Sequence, residues 1–106
     1  MRTRTRKKQR ELFLTTVVSL LLNLGARQDN DGFILQTKVG PLTLYPTASG
    51  KDELGTVFAR FDNPDAARQL VGCNPFSGKW NHHYFDGWSV EAAMDDFSAR
   101  LRRVLR

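Results

Sequence analysis

The first strong pattern in the chain is an apolar run from Leu12 to Leu24 that polar residues interrupt at intervals of four. Thr15, Ser19 and Asn23, with Thr16 beside them, form one stripe on a helix. Phe13, Leu14, Val17, Val18, Leu20, Leu21 and Leu24 collect on the opposite face. This spacing predicts a helix from about Arg6 to Leu24, with Gly25 supplying the left-handed residue that ends many helices. The period then changes from 3.6 to 2. Phe33–Lys38 and Leu42–Tyr45 read as two strands of a hairpin around a Val39–Pro41 turn, and Thr56–Phe61 reads as a third strand. In that third strand Phe58 and Arg60 share one face, and Val57, Ala59 and Phe61 the other. Arg27–Gly32 is read as a turn-rich link and Pro46–Gly55 as a polar loop.

Asn63 is suited to cap a helix, Pro64 to open it and Asp65 to complement its dipole, so a short helix is expected over Pro64–Val71. A fourth strand follows from Lys79 or Trp80 to Phe85. The last helix starts near Ser89, with Val90, Ala93, Met94, Phe97, Leu101, Val104 and Leu105 in one stripe and Asp96–Arg100 as an i,i+4 pair. The expected fold is a two-layer α+β domain of order α-β-β-β-α-β-α. It would carry an antiparallel sheet of about four strands, two long helices and one short helix. Residues 1–5 are expected as a flexible basic arm and 6–106 as a single domain.

Composition narrows the class. The chain has 106 residues, 41% hydrophobic and 25% charged, which excludes a disordered tail, a collagen or a coiled coil. The formal charge of +5 is segregated: six bases and no acid lie in 2–10, four bases and no acid in 100–106, and the stretch between them is net −5. A single cysteine excludes an intramolecular disulfide and points to a reducing, cytoplasmic compartment. A basic start followed by an apolar run imitates a secretory signal or a membrane-surface helix. The polar stripe argues instead for a helix packed into the core, with no membrane partner, and the apolar run is too short to span a bilayer.

Candidate chemistry concentrates in Asn74–Trp88, where five of the eleven aromatic residues fall. Phe76, Lys79, Trp80, His82, His83, Tyr84 and Trp88 are the candidate partner-binding residues, because Tyr and Trp give rigid contact area with a polar handle. The same rings also serve as core residues under the last helix, and both readings stand at this stage. Strand alternation places Trp80, His82 and Tyr84 on one face and Asn81, His83 and Phe85 on the other, so the two histidines do not share a metal. No Cys/His spacing matches a zinc site, and no metal or other cofactor is expected. The run from Gly72 to Lys79 has the wrong spacing for a phosphate loop and leads into a strand. A small histidine-dependent enzyme, using His82 or His83 with Cys73 or Asp86, is the remaining catalytic reading. Arg2, Arg4, Arg6, Lys7, Lys8 and Arg10 are the candidate nucleic-acid-binding residues, since their charge attracts phosphates without regard to sequence.

The tract from Asn74 to His83, preceded by Lys38–Leu44 and followed by the amphipathic last helix, resembles small accessory proteins encoded by phages and plasmids. The resemblance covers about residues 32–105 and leaves out the basic arm. It brings no catalytic residues. It implies a mobile-element setting, in which such proteins bind host or nucleoprotein machinery. The expectation is therefore a non-enzymatic accessory protein that docks on a protein or nucleoprotein partner through the aromatic tract and the basic arm. Nucleic-acid binding by the arm is the first alternative.

Overall fold

The computed structural model of the chain describes residues 2–30, 32–48, 53–63, 65, 68, 81–85 and 87–105, with the side chains of 2–6 outside that set. Among the described residues, two helices and five strands follow one another as α1 (Arg2–Asn23), β1 (Arg27–Asp29), β2 (Gly32–Thr37), β3 (Gly40–Thr47), β4 (Glu53–Phe61), β5 (Asn81–Phe85) and α2 (Val90–Leu105). The strands form one antiparallel sheet in chain order, β1-β2-β3-β4-β5. The fold is α+β, but its order is α-β-β-β-β-β-α, which corrects the expectation of four strands and three helices. The short helix expected over Pro64–Val71 falls largely outside the described residues. Within it, Asp65 and Arg68 are joined as an ion pair.

The additional strand is β1. Its three residues are all exposed, so no alternation of burial marks it in the sequence. It pairs with β2 across a two-residue turn in which Asn30 takes a positive φ of 56°, the backbone that tight hairpins demand. Two further boundaries move. β3 runs through Pro46, which pairs with Val57, and does not stop at Tyr45. The β2–β3 turn is Lys38–Val39 and not Val39–Pro41. It is closed by the Thr37 hydroxyl, which donates to the Gly40 carbonyl at 2.7 Å and accepts from the Val39 amide at 3.1 Å.

α1 begins at Arg2, four residues ahead of the expected Arg6, and ends as its sequence foretells. Gly25 has φ 93°, its amide bonds Leu22 at 3.0 Å, and the Ala26 amide bonds Leu21 at 2.9 Å. These are the two hydrogen bonds of a Schellman cap, and buried Ala26 and Leu21 supply the apolar contact that accompanies it. α2 opens on Ser89, whose hydroxyl accepts the Ala92 amide at 3.1 Å. The Lys38 amide bonds the Val104 carbonyl at 2.9 Å, fastening the β2–β3 turn to the far end of α2.

Both helices cover the same face of the sheet, and the core lies between the layers. Phe13, Val17 and Leu21 from α1 and Ala93, Phe97, Leu101 and Val104 from α2 meet Phe33, Leu35, Leu42, Leu44, Val57, Ala59, Phe61 and Tyr84 from the strands. Phe13 rests directly on Gly55. A Cβ there would stand 2.5 Å from its ring, so only glycine admits the helix at this distance. No described helix is long and apolar enough to cross a membrane.

Candidate functional site

The register of β4 against β5 decides which side of the sheet each tract residue takes. Gly55 lies opposite Tyr84, Val57 opposite His82, Thr56 opposite His83 and Phe58 opposite Asn81. Residues directly opposite share a face. His82 and Tyr84 therefore join Gly55 and Val57 under the helices. Asn81, His83 and Phe85 join Thr56 and Phe58 on the other face, which the described helices leave open.

On the helix side, Tyr84 is fully buried (0% exposed). Phe13 and Trp88 pack edge-on against its ring, with centroids at 5.3 and 5.2 Å. Its hydroxyl donates to Asp96 Oδ2 of α2 at 2.8 Å. Arg100 Nε donates to the same oxygen at 2.8 Å, and His82 Nε2 stands 3.3 Å from it. One carboxylate oxygen thus collects three groups from two elements. Burial, then the hydrogen bond to Asp96, raises the Tyr84 hydroxyl far above its ordinary range. Burial, reinforced by Arg100, lowers the His82 pKa below 6.5, while Asp96 works in the opposite sense. Burial by itself would raise the Asp96 carboxyl. The hydrogen bonds from Arg100 and Tyr84 outweigh that and hold it below its ordinary value. The network satisfies buried polar groups and ties β5 to α2, which is a structural task.

The open side is built differently. A bulge between Glu53 and Gly55 inserts one extra residue into β4. Such a bulge re-aims the side chains around it, and it turns Glu53 to the same side as Thr56. The Thr56 hydroxyl donates to Glu53 Oε2 at 2.6 Å, and His83 Nδ1 lies 2.7 Å from that hydroxyl and 2.8 Å from Oε2. A carboxylate only accepts, so Nδ1 carries the proton and Nε2 is left uncommitted within the triangle. The His83 ring, anchored in this way, is stacked on Phe85 at 5.7 Å and 20°. Phe85 is 62% exposed and Phe58 43%. Tyr45, half-buried, lies opposite Phe58, and exposed Arg60 lies two residues further along β4 on the same face, opposite Thr43.

Glu53–His83 has the base-and-orienter arrangement that proton transfer uses. Here the triangle closes on itself. Thr56 commits its proton to Glu53 and is only 1% exposed, so no substrate reaches its hydroxyl. Cys73 and Asp86, the partners considered for a catalytic histidine, lie outside the described residues, and the two histidines stand on opposite faces. Among the described residues no group of three or more His, Cys, Asp or Glu is placed to hold a metal.

The candidate partner-binding residues are thus separated. Phe76, Lys79 and Trp80 lie outside the described residues. Tyr84 is core, Trp88 packs against the core, His82 belongs to the Asp96 network, and His83 is on the open face. Among the described residues, Phe58 and Phe85, which the sequence reading did not select, are the exposed phenylalanines. Of the basic arm, Lys7 and Lys8 are exposed and Arg10 is half-buried on α1, and the side chains of Arg2, Arg4 and Arg6 lie outside the described set. Comparison with known protein families, with curated proteins and with solved structures finds no match to this chain.

Proposed function

We propose that the protein works by binding a macromolecular partner, without catalysis, and that its contact surface is the open face of the sheet. The observation that carries this reading is the pair Phe58 and Phe85, exposed on one face together with an anchored, stacked histidine. Phe58 and Phe85 leave 43% and 62% of their surface in water, a burial forgone by the fold, and exposed aromatic groups on a rigid surface are the usual anchors of an interface. Rigid strands also hold contact groups more accurately than loops do. The mobile-element setting and a cytoplasmic location belong to the same proposal.

The test is cross-linking from defined positions. A photoreactive phenylalanine analogue at Phe85 is compared with the same group at Leu24, which is 40% exposed beside an apolar groove of about 260 Å³ between α1 and α2. Capture from Phe85 that Phe58→Asp abolishes is the expected result. Capture from Leu24 alone would place the binding surface on the helices and reject this reading.

A further inference from the structure

We propose that the partner of the open face is single-stranded nucleic acid, with bases stacked on Phe58 and Phe85 and the backbone drawn toward the basic start of α1. This rests on the reading of that face as the binding surface and names its ligand.

The rings are arranged in a row. Phe58 lies beside Asn81, and Asn81, His83 and Phe85 follow at every second position of β5, about 6.7 Å apart. Phe58 and Phe85 are therefore separated along the face by Asn81 and His83, with Tyr45 opposite Phe58 and Arg60 beyond it. A protein interface core of this size would be contiguous and poor in such groups. Separate flat rings with polar groups between them suit unpaired bases, which present a π-face whatever their sequence. A duplex hides those faces, so the single strand is the fitting form. The platform is also rigid before any ligand arrives. Glu53 and Thr56 hold His83 by Nδ1, and His83 holds Phe85 by stacking, so little side-chain freedom is left to lose on binding.

Charge completes the case. Arg60 is exposed beside Phe58, and Arg27 is exposed on the same face opposite Ile34. Among the described acids of this face, Glu53, opposite Phe85, is engaged by His83 and Thr56, and Asp29 stands on Arg27's side of β1. β5 is the edge strand of the sheet, and Phe13 of α1 sits at its end, on Gly55 and Tyr84. Arg10, Lys8 and Lys7 precede Phe13 by about 5 to 9 Å of helix. A strand leaving Phe85 around this edge meets the part of the chain that carries six bases and no acid in residues 2–10.

The experiment is fluorescence anisotropy of the full chain with labelled oligouridylate and oligothymidylate, and with a duplex of equal length, at about 50 mM salt. Single strands are expected to bind more tightly than duplex. Phe58→Ala and Phe85→Ala are each expected to weaken binding about 5- to 100-fold, with unchanged circular dichroism and a melting temperature within a few degrees of wild type, because both side chains are part-exposed. The Lys7→Ala/Lys8→Ala/Arg10→Ala variant is expected to make the slope of log affinity against log salt shallower by about 2. Absence of oligonucleotide binding, equal binding of duplex, or wild-type binding by the phenylalanine variants would overturn the proposal. Cross-linking from Phe85 to protein, without oligonucleotide binding, would reject nucleic acid and leave the open face as the binding surface. Loss of both signals would remove the two readings together.

Discussion

Tyr84 and Phe85 are neighbours in β5, and so are His82 and His83, yet each pair divides between two environments. On the helix side, Tyr84 hydrogen-bonds Asp96, a residue of another element, His82 stands within ion-pair distance of it, and their ring contacts lie in the layer that holds the fold together. On the open side, His83 bonds Glu53 and Thr56 within the sheet and stacks on Phe85, and the result is a fixed ring with little burial. The same residue types, one position apart, serve stability in one case and pre-organisation in the other. The hydrogen-bond partner and the covering layer make the difference.

Substitutions that remove material from the helix side should show the largest effects. Phe13→Ala deletes a fully buried ring that touches Gly55 and Tyr84, and a loss of about 3–5 kcal/mol in urea unfolding is expected. Gly55→Ala forces a methyl group into that ring and should cost about 1–3 kcal/mol. Phe13→Leu should recover part of that loss in the double variant if the contact is the cause. Tyr84→Phe removes one of two hydrogen bonds to Asp96 Oδ2 and keeps the packing, so about 1 kcal/mol is expected, read as a lowered urea midpoint with an unchanged slope.

A smaller effect separates the two histidines by pH. His82 has its folded-state pKa lowered, so its contribution is present above the unfolded value near 6.5 and is lost as pH falls through the lowered value. Asp96 is also lowered, and its contribution is lost only in the acid range below its ordinary value of 3.8. The stability gap between wild type and His82→Gln should therefore be constant above pH 7 and begin to change as pH falls below 6.5, whereas Asp96 acts only below 3.8. Urea midpoints across that range measure it. A gap that stays flat as pH falls below 6.5 to the onset of acid unfolding would show that His82 is not coupled to the fold.

Much of the fold was legible because its signals are local. The polar stripe of α1, the Gly25 cap, the Ser89 start and the Asp96–Arg100 pair are all set by spacing within one element. β1 escaped because an edge strand of three exposed residues has no alternation to read. The first part of β4 escaped because a bulge breaks the period of two at the place where Glu53 must turn. The site was half legible for the same reason. Alternation separated His82 and Tyr84 from His83 and Phe85, and Phe58 from Val57. Which set is buried depends on where the helices dock, and no single-strand pattern contains that. The candidate partner-binding set therefore drew from both faces of the strand, with the core reading left open beside it.

The most direct test compares one double variant from the open side with one variant from the covered side, in the same two assays. For Phe58→Ala/Phe85→Ala, the melting temperature should stay within a few degrees of wild type, since exposed positions contribute less than about 0.5 kcal/mol each, while single-strand binding is lost. For Tyr84→Phe, the melting temperature should fall and binding should be retained. A double variant that unfolds early, or one that binds as well as wild type while Tyr84→Phe does not, would contradict the division of labour between the two faces.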